Sequence, residues 1–108
     1  MTTRQPTPQG ISALLRKAGF ERSAVLSRAS LNHRYTAGFH TRSTETEVYV
    51  GYRWATPLVT PSAEQAERNL ATALEMTAKY AEALTAAGWP AEVIHLAGPL
   101  VRVTAKEI

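Results

Sequence analysis

The chain has 108 residues, 44% of them hydrophobic and 19% charged, with no cysteine and a formal net charge of +3. A single domain of this size hides about two thirds of its unfolded surface, enough for a core without covalent staples. The missing cysteines exclude a disulfide framework and thiolate chemistry. No run approaches the roughly 18 apolar residues of a membrane span, and the first ten residues lack the apolar stretch of a secretory signal. The expected setting is therefore the cytoplasm, with no membrane partner.

The charge is unevenly spread. Residues 1–42 carry seven basic side chains against Glu21 alone, whereas residues 43–108 carry five basic and eight acidic ones. A basic first half suits a polyanion or an acidic partner, or else a solvated surface.

Residues 1–9 are polar, with Pro6 and Pro8, and are expected to be a mobile terminus preceding one domain over residues 10–108. A short helix follows from about Pro8 to Ala18. Thr7 caps it, and Ile11, Leu14, Leu15 and Ala18 share one face. Residues 21–34 are ambiguous: Ser23–Arg28 reads as a short strand or a helical turn, and Asn32–Arg34 as loop. A hairpin comes next. Its first strand, Tyr35–Ser43, turns Tyr35, Ala37, Phe39 and Thr41 one way and Thr36, Gly38, His40 and Arg42 the other. In its second strand Val48, Val50, Tyr52 and Trp54 alternate with Glu47, Tyr49, Gly51 and Arg53, the period of a half-buried strand. Ser43–Glu45 connects the two strands, and Thr56–Pro61 leads onward.

The longest element is a helix over Ala63–Ala87. Ser62 and Gln65 form a capping box, with Ser62 accepting from the Gln65 amide and Gln65 reaching back. Glu64 and Glu67 complement the dipole. Gly88 and Pro90 end the helix, and Trp89 is placed to touch Leu84 as in a Schellman motif. Phe20 follows Gly19 in the same way, so one stop signal is used twice. Around this helix Leu70, Leu74, Thr77, Ala81 and Leu84 form one apolar seam. Ala66, Ala73, Met76, Tyr80, Ala83 and Ala87 form another beside it. Glu64–Arg68 and Glu75–Lys79 are spaced for ion pairs on the far side. A helix of this length, about 37 Å, exceeds a typical strand of about 17–20 Å. It is therefore expected to overhang its own sheet or to meet a second chain. Glu92–Leu96 and Leu100–Thr104 are two further strands, broken at Gly98-Pro99.

The order α-β-β-α-β-β defines an α+β fold: an antiparallel sheet of about four strands with the long helix packed on one face and the other face open. If Ser23–Arg28 is a strand, residues 10–88 follow the order of a double-stranded-RNA-binding domain. The acidic start of the long helix, where such domains carry lysines, argues against that match.

Chemistry-bearing constellations are sparse. His33, His40 and His95 have no partners at metal-ligand spacing, so neither a metal nor a cofactor is expected. Aspartate is absent, and most glutamates fall on the solvent side of the long helix, which leaves paired-carboxylate catalysis without a seat. An enzyme is the least supported class. On the outward side of the hairpin, His40 and Arg42 lie beside Tyr49 and Arg53, a mix of basic and aromatic groups that suits a binding face. Ala73, Met76, Tyr80, Ala83 and Ala87 form the candidate interface on the helix, for a protein partner or a homodimer.

Three stretches carry a resemblance: Ile11-Ser-Ala-Leu-Leu-Arg-Lys-Ala-Gly-Phe20, Tyr80-Ala-Glu-Ala-Leu-Thr-Ala-Ala-Gly88 and Val101-Arg-Val-Thr-Ala105. With nine arginines to three lysines, the chain resembles a loose group of short actinobacterial and actinophage proteins of unassigned function. The resemblance implies a small accessory protein of a phage, of a mobile element or of its host, and supplies no active site. The expected function is thus a non-catalytic interaction module with a protein partner. The alternatives are nucleic-acid binding through the basic first half and a small enzyme whose site is unrecognised.

Overall fold

The computed structural model describes residues 2–27, 34–55 and 60–107. The first helix, α1 (Pro8–Lys17), starts where the Thr7 hydroxyl accepts from the Gly10 amide at 3.0 Å. The long helix, α2 (Ala63–Ala86), starts where the Ser62 hydroxyl accepts from the Gln65 amide at 3.1 Å. The reciprocal half of the capping box does not form. The Gln65 side chain turns forward instead, donating to Asn69 and accepting from Arg68, which draws Arg68 away from Glu64. Glu75 and Lys79 do pair, at 3.2 Å.

Both helices stop in the same way. The Phe20 amide donates to the Leu15 carbonyl and the Trp89 amide to the Leu84 carbonyl, each at 3.0 Å, around Gly19 and Gly88 at φ of 98° and 94°. These are Schellman closures. They carry Leu15, Leu84 and Trp89 into one core and Phe20 against its edge.

That core lies under an antiparallel sheet. Its strands are β4 (Gly38–Ser43), β5 (Val48–Arg53), β6 (Ala91–His95) and β7 (Pro99–Val103), in the order β4-β5-β7-β6. Val48, Val50, Val101 and Val103 are fully buried on the side where α2 crosses β5, β7 and β6. α1 packs against α2 and β4, adding Ile11 and Leu15. Tyr80 is the largest fully buried side chain. It meets Phe20 edge-on at 5.0 Å between ring centres and Phe39 at 6.0 Å, geometries that add to plain burial. The α+β architecture with a helix-covered and an open face is thus present, with small additions.

The additions are two short ribbons. β1 (Thr3–Arg4) pairs antiparallel with β8 (Lys106–Glu107), a point of attachment within the terminus expected to be mobile. Lys106 also sits 4.3 Å over the Trp89 ring. β2 (Val25–Ser27) pairs with β3 (Arg34–Tyr35). The expected hairpin strand from Tyr35 is therefore interrupted, and β4 begins only at Gly38. Part of Ser23–Arg28 is a strand, as one reading had it, whereas Arg28, Asn32 and His33 lie outside the described residues. The connection between β4 and β5 runs later than Ser43–Glu45. It is closed by the Thr44 amide on the Glu47 carbonyl at 2.9 Å and the Glu47 amide on the Thr44 hydroxyl at 3.1 Å.

Gly38 explains the interruption. Its φ is +153°, and a Cβ there would lie 2.5 Å from the Glu21 carbonyl oxygen and 2.6 Å from the Ser23 amide. The chain passes this close because the Phe39 amide donates to Glu21 at 2.9 Å and the Ser23 amide to Phe39 at 2.8 Å. A side chain at position 38 would break that contact.

α2 divides into two halves. Ala73, Thr77, Tyr80 and Leu84 are buried, and the Thr77 hydroxyl donates back to the Ala73 carbonyl at 2.8 Å. From Ala63 to Thr72 every residue is exposed except the half-buried Asn69. The helix therefore overhangs its sheet.

Replacing Gly38 by alanine is expected to destabilise the fold by about 1–3 kcal/mol in chemical denaturation. Gly98→Ala shares the backbone angle (φ +155°) but has nothing within 4 Å of its Cβ, and should cost clearly less. Equal losses would show that the contact with Glu21 and Ser23 contributes nothing.

Candidate functional site

Strand register decides which side chains reach the open face. His40 lies opposite Gly51 and Arg42 opposite Tyr49, and Tyr49 is in turn opposite Arg102. Arg102 faces Glu92 and Leu100 faces Ile94 on the far strand. Because side chains alternate between faces, these residues all project away from the helices. The hairpin alternation read from the sequence is therefore correct from Phe39 through Arg53, whereas Trp54, expected on the inward side, lies beyond the end of β5 and is exposed.

Gly51 lets two neighbouring side chains close over its strand. A Cβ there would fall 2.6 Å from His40 Nε2 and 2.9 Å from Leu100 Cδ2. With no side chain present, the imidazole and the leucine close over the strand from either side. Around them His40, Arg42, Thr44, Tyr49, Leu96 and Leu100 line a shallow groove of about 230 Å³. Leu96, at the turn before β7, is 70% exposed.

The charges here are of two kinds. Arg102 is neutralised, with Glu47 at 3.7 Å on one side and Glu92 on the other. The hydrogen bond that its guanidinium donates to Glu92 chiefly holds its pKa above the ordinary value. Tyr49 donates its hydroxyl to Glu47 at 3.1 Å; burial first, and then that bond, raise its phenol pKa. On the β4 side the balance is positive. Arg42 is exposed and makes no ion pair among the described residues. Arg53 lies over the Tyr35 ring at 4.1 Å. His40, half-buried between these arginines, has its pKa pushed below 6.5 by burial first and by Arg53 and Arg42 next. At neutral pH it is an uncharged imidazole.

His40, Arg42 and Tyr49 are thus brought into one groove, with Arg53 at its end beside His40. Thr44, Leu96 and Leu100 complete it. The sequence signal for Leu100 was its alternation with Val101; Leu96 sits in a turn, where no period applies. The helix seam behaves differently. Tyr80 and Ala73 are buried, Met76 and Ala83 are half-buried and packed on the core, and only Ala87 is exposed. The protein's own sheet occupies that seam because it buries the line midway between the two seams. The apolar side chains left outside are Leu70 and Leu74, at 50% and 41% exposure.

No group of three or more histidine, cysteine or acidic residues able to hold a metal ion occurs among the described residues. No described helix is long and apolar enough to cross a membrane. The fold and the groove together define a small α+β protein with an open-faced sheet. Compared with protein-family models, curated proteins and solved structures, the chain matches none.

The depressed His40 pKa has a consequence for stability. Below the ordinary value of 6.5 the unfolded chain takes up a proton that the folded protein resists. The His40 contribution is thus fully present above that value and is lost as pH falls through and below it. Denaturation midpoints at about pH 7.5 and about pH 5.5 should differ less in His40→Gln than in the unaltered protein. An unchanged difference would show that His40 is not the group responsible.

Proposed function

We propose that the protein is a non-catalytic binding module that holds a segment of a partner protein on the open face of its sheet. The observation that carries this reading is the groove lined by His40, Arg42, Tyr49, Leu96 and Leu100. Its apolar lining, Leu96 and Leu100, is bordered by Arg42, exposed and without an ion pair among the described residues, and by an uncharged His40. Such a site suits an acidic segment with one apolar or aromatic side chain, which seats the side chain on the leucines and its carboxylates near Arg42 and Arg53. In the setting implied by the sequence resemblance, the module would be an accessory protein of a phage or mobile element acting on a host protein.

Nucleic-acid binding through the same face is the rival. Arg42, Arg53 and Tyr49 favour it, since arginines pair with phosphates and rings stack on bases. Glu47 and Glu92 weigh against it, because they cancel Arg102 and place carboxylates where a phosphate chain would run.

Amide-resolved NMR titration with a peptide of alternating glutamate and phenylalanine tests the proposal. Saturable shifts are expected at His40, Arg42, Tyr49 and Leu100, and Arg42→Glu should weaken binding about tenfold. The nucleic-acid reading would be favoured if a mixed-sequence oligonucleotide moved these resonances at about 50 mM salt and lost affinity steeply as salt rose. A face that neither probe disturbs would refute both.

A further inference from the structure

The ribbon of β1 and β8 sets like charges against each other. Its register places Arg4 directly opposite Lys106 and Thr3 opposite Glu107. Opposed residues of an antiparallel pair point to the same side, with Cβ atoms about 4.5–5.5 Å apart, and like charges so placed are destabilising. Lys106 shows which side this is, because its ammonium lies over the buried Trp89 ring. The ribbon therefore turns both cations toward the body of the protein and its one acid, Glu107, away from it. A ribbon that only tied down the chain would be steadier with that acid opposite a cation.

The two cations line a cavity of about 230 Å³ between the ribbon, the start of α1 and the end of α2. Arg4 and Lys106 form its charged side, and Leu14, Ala87 and Trp89 its apolar side. No carboxylate lines it. Neither cation has an ion pair among the described residues. The carbonyls that end α2 are taken by the amides of Ala87, Gly88 and Trp89, so Lys106 is not needed to satisfy them. At the start of α1 the Gly10 amide is spent on the Thr7 hydroxyl, so the positive charge here is that of the two side chains.

We propose that this cavity binds a small phosphate monoester. Two cations side by side, with no acid among them, match a dianion better than a single carboxylate. A phosphate monoester carries about −1.5 to −2 charges at pH 7 and offers three acceptor oxygens. The planar fork of Arg4 can grip two of these oxygens, while the Lys106 ammonium acts on the third as a point charge. Binding relieves the repulsion that the register builds in. Leu14 and Ala87 then receive a small apolar body carried by the phosphate. The cavity shares no lining residue with the groove on the open face, so it stands whatever that groove holds.

Fluorescence titration with phenyl phosphate tests the inference. In Trp54→Phe, which alters an exposed ring, Trp89 is the sole tryptophan and reports on the cavity. A saturable change with half-saturation at or below about 1 mM is expected, and phenol, the same ring without the charge, should give none. Arg4→Gln and Lys106→Gln in that background should each raise the half-saturation point at least about fivefold, and Arg4→Lys less. Without ligand, Arg4→Gln should not lower the denaturation midpoint, because it removes a repulsion; a marked fall would mean that Arg4 serves only to hold the ribbon, and would overturn the proposal. So would the absence of saturable binding, or binding that survives Arg4→Gln and is lost in Arg42→Ala, which would place the phosphate in the groove. Should Lys106→Gln fail to fold, Arg4→Gln decides.

Discussion

Tyr80 joins the parts of this protein. Its ring is fully buried where the second half of α2, α1 and β4 converge, held edge-on between Phe20 and Phe39. Phe20 stands there because Gly19 turns the chain back at the end of α1. Phe39 stands there because Gly38 lets the Glu21–Ser23 segment press against the start of β4. Burying a side chain of this size contributes on the order of 2 kcal/mol from apolar area alone. More is at stake in the geometry, since losing the ring would release α1 and β4 together. Val48, Val50, Val101 and Val103 supply the rest of the floor beneath α2.

With the helices committed to one face, the other face and the β6 edge remain available. The open face has its own organisation. His40 and Leu100 close over Gly51, and Glu47 and Glu92 hold Arg102 beside Tyr49. Among the described residues, the positive charge of Arg42 is left without an ion pair, beside the apolar Leu96 and Leu100. Burial and the neighbouring arginines keep His40 neutral at neutral pH, so the groove carries a polar ring rather than another cation. The same placement of α2 leaves Leu70 and Leu74 uncovered.

Much of this was legible in the sequence because it rests on local rules. The Gly19-Phe20 and Gly88-Trp89 stops, the Ser62 cap and the alternation through Val48–Arg53 depend only on neighbours along the chain. Alternation alone placed His40, Arg42 and Tyr49 on one face. The features that could not be read depend on distant contacts. Tyr35, Ala37 and Phe39 alternate without a break, yet the strand is cut at Gly38 by a segment more than a dozen residues earlier. The two seams of α2 are adjacent and similarly apolar, and Thr77 looks polar until its hydroxyl is hidden on the Ala73 carbonyl, so the sheet's choice of line was not visible. Nor was the point where the sheet ends beneath α2, because the alanine and leucine pattern continues past it. β1 and β8 pair over two residues each, too short for any period to register.

α2 is divided into a docked half and a projecting half, and hydrogen exchange in dilute solution tests that division directly. Amides of residues 77–84, pressed against the sheet, should exchange only at the rate set by global unfolding. Those of residues 67–70, hydrogen-bonded but without packing, should exchange by local fraying orders of magnitude faster. Uniform protection along the whole helix would contradict the account, because it would mean that the first half is covered as fully as the second.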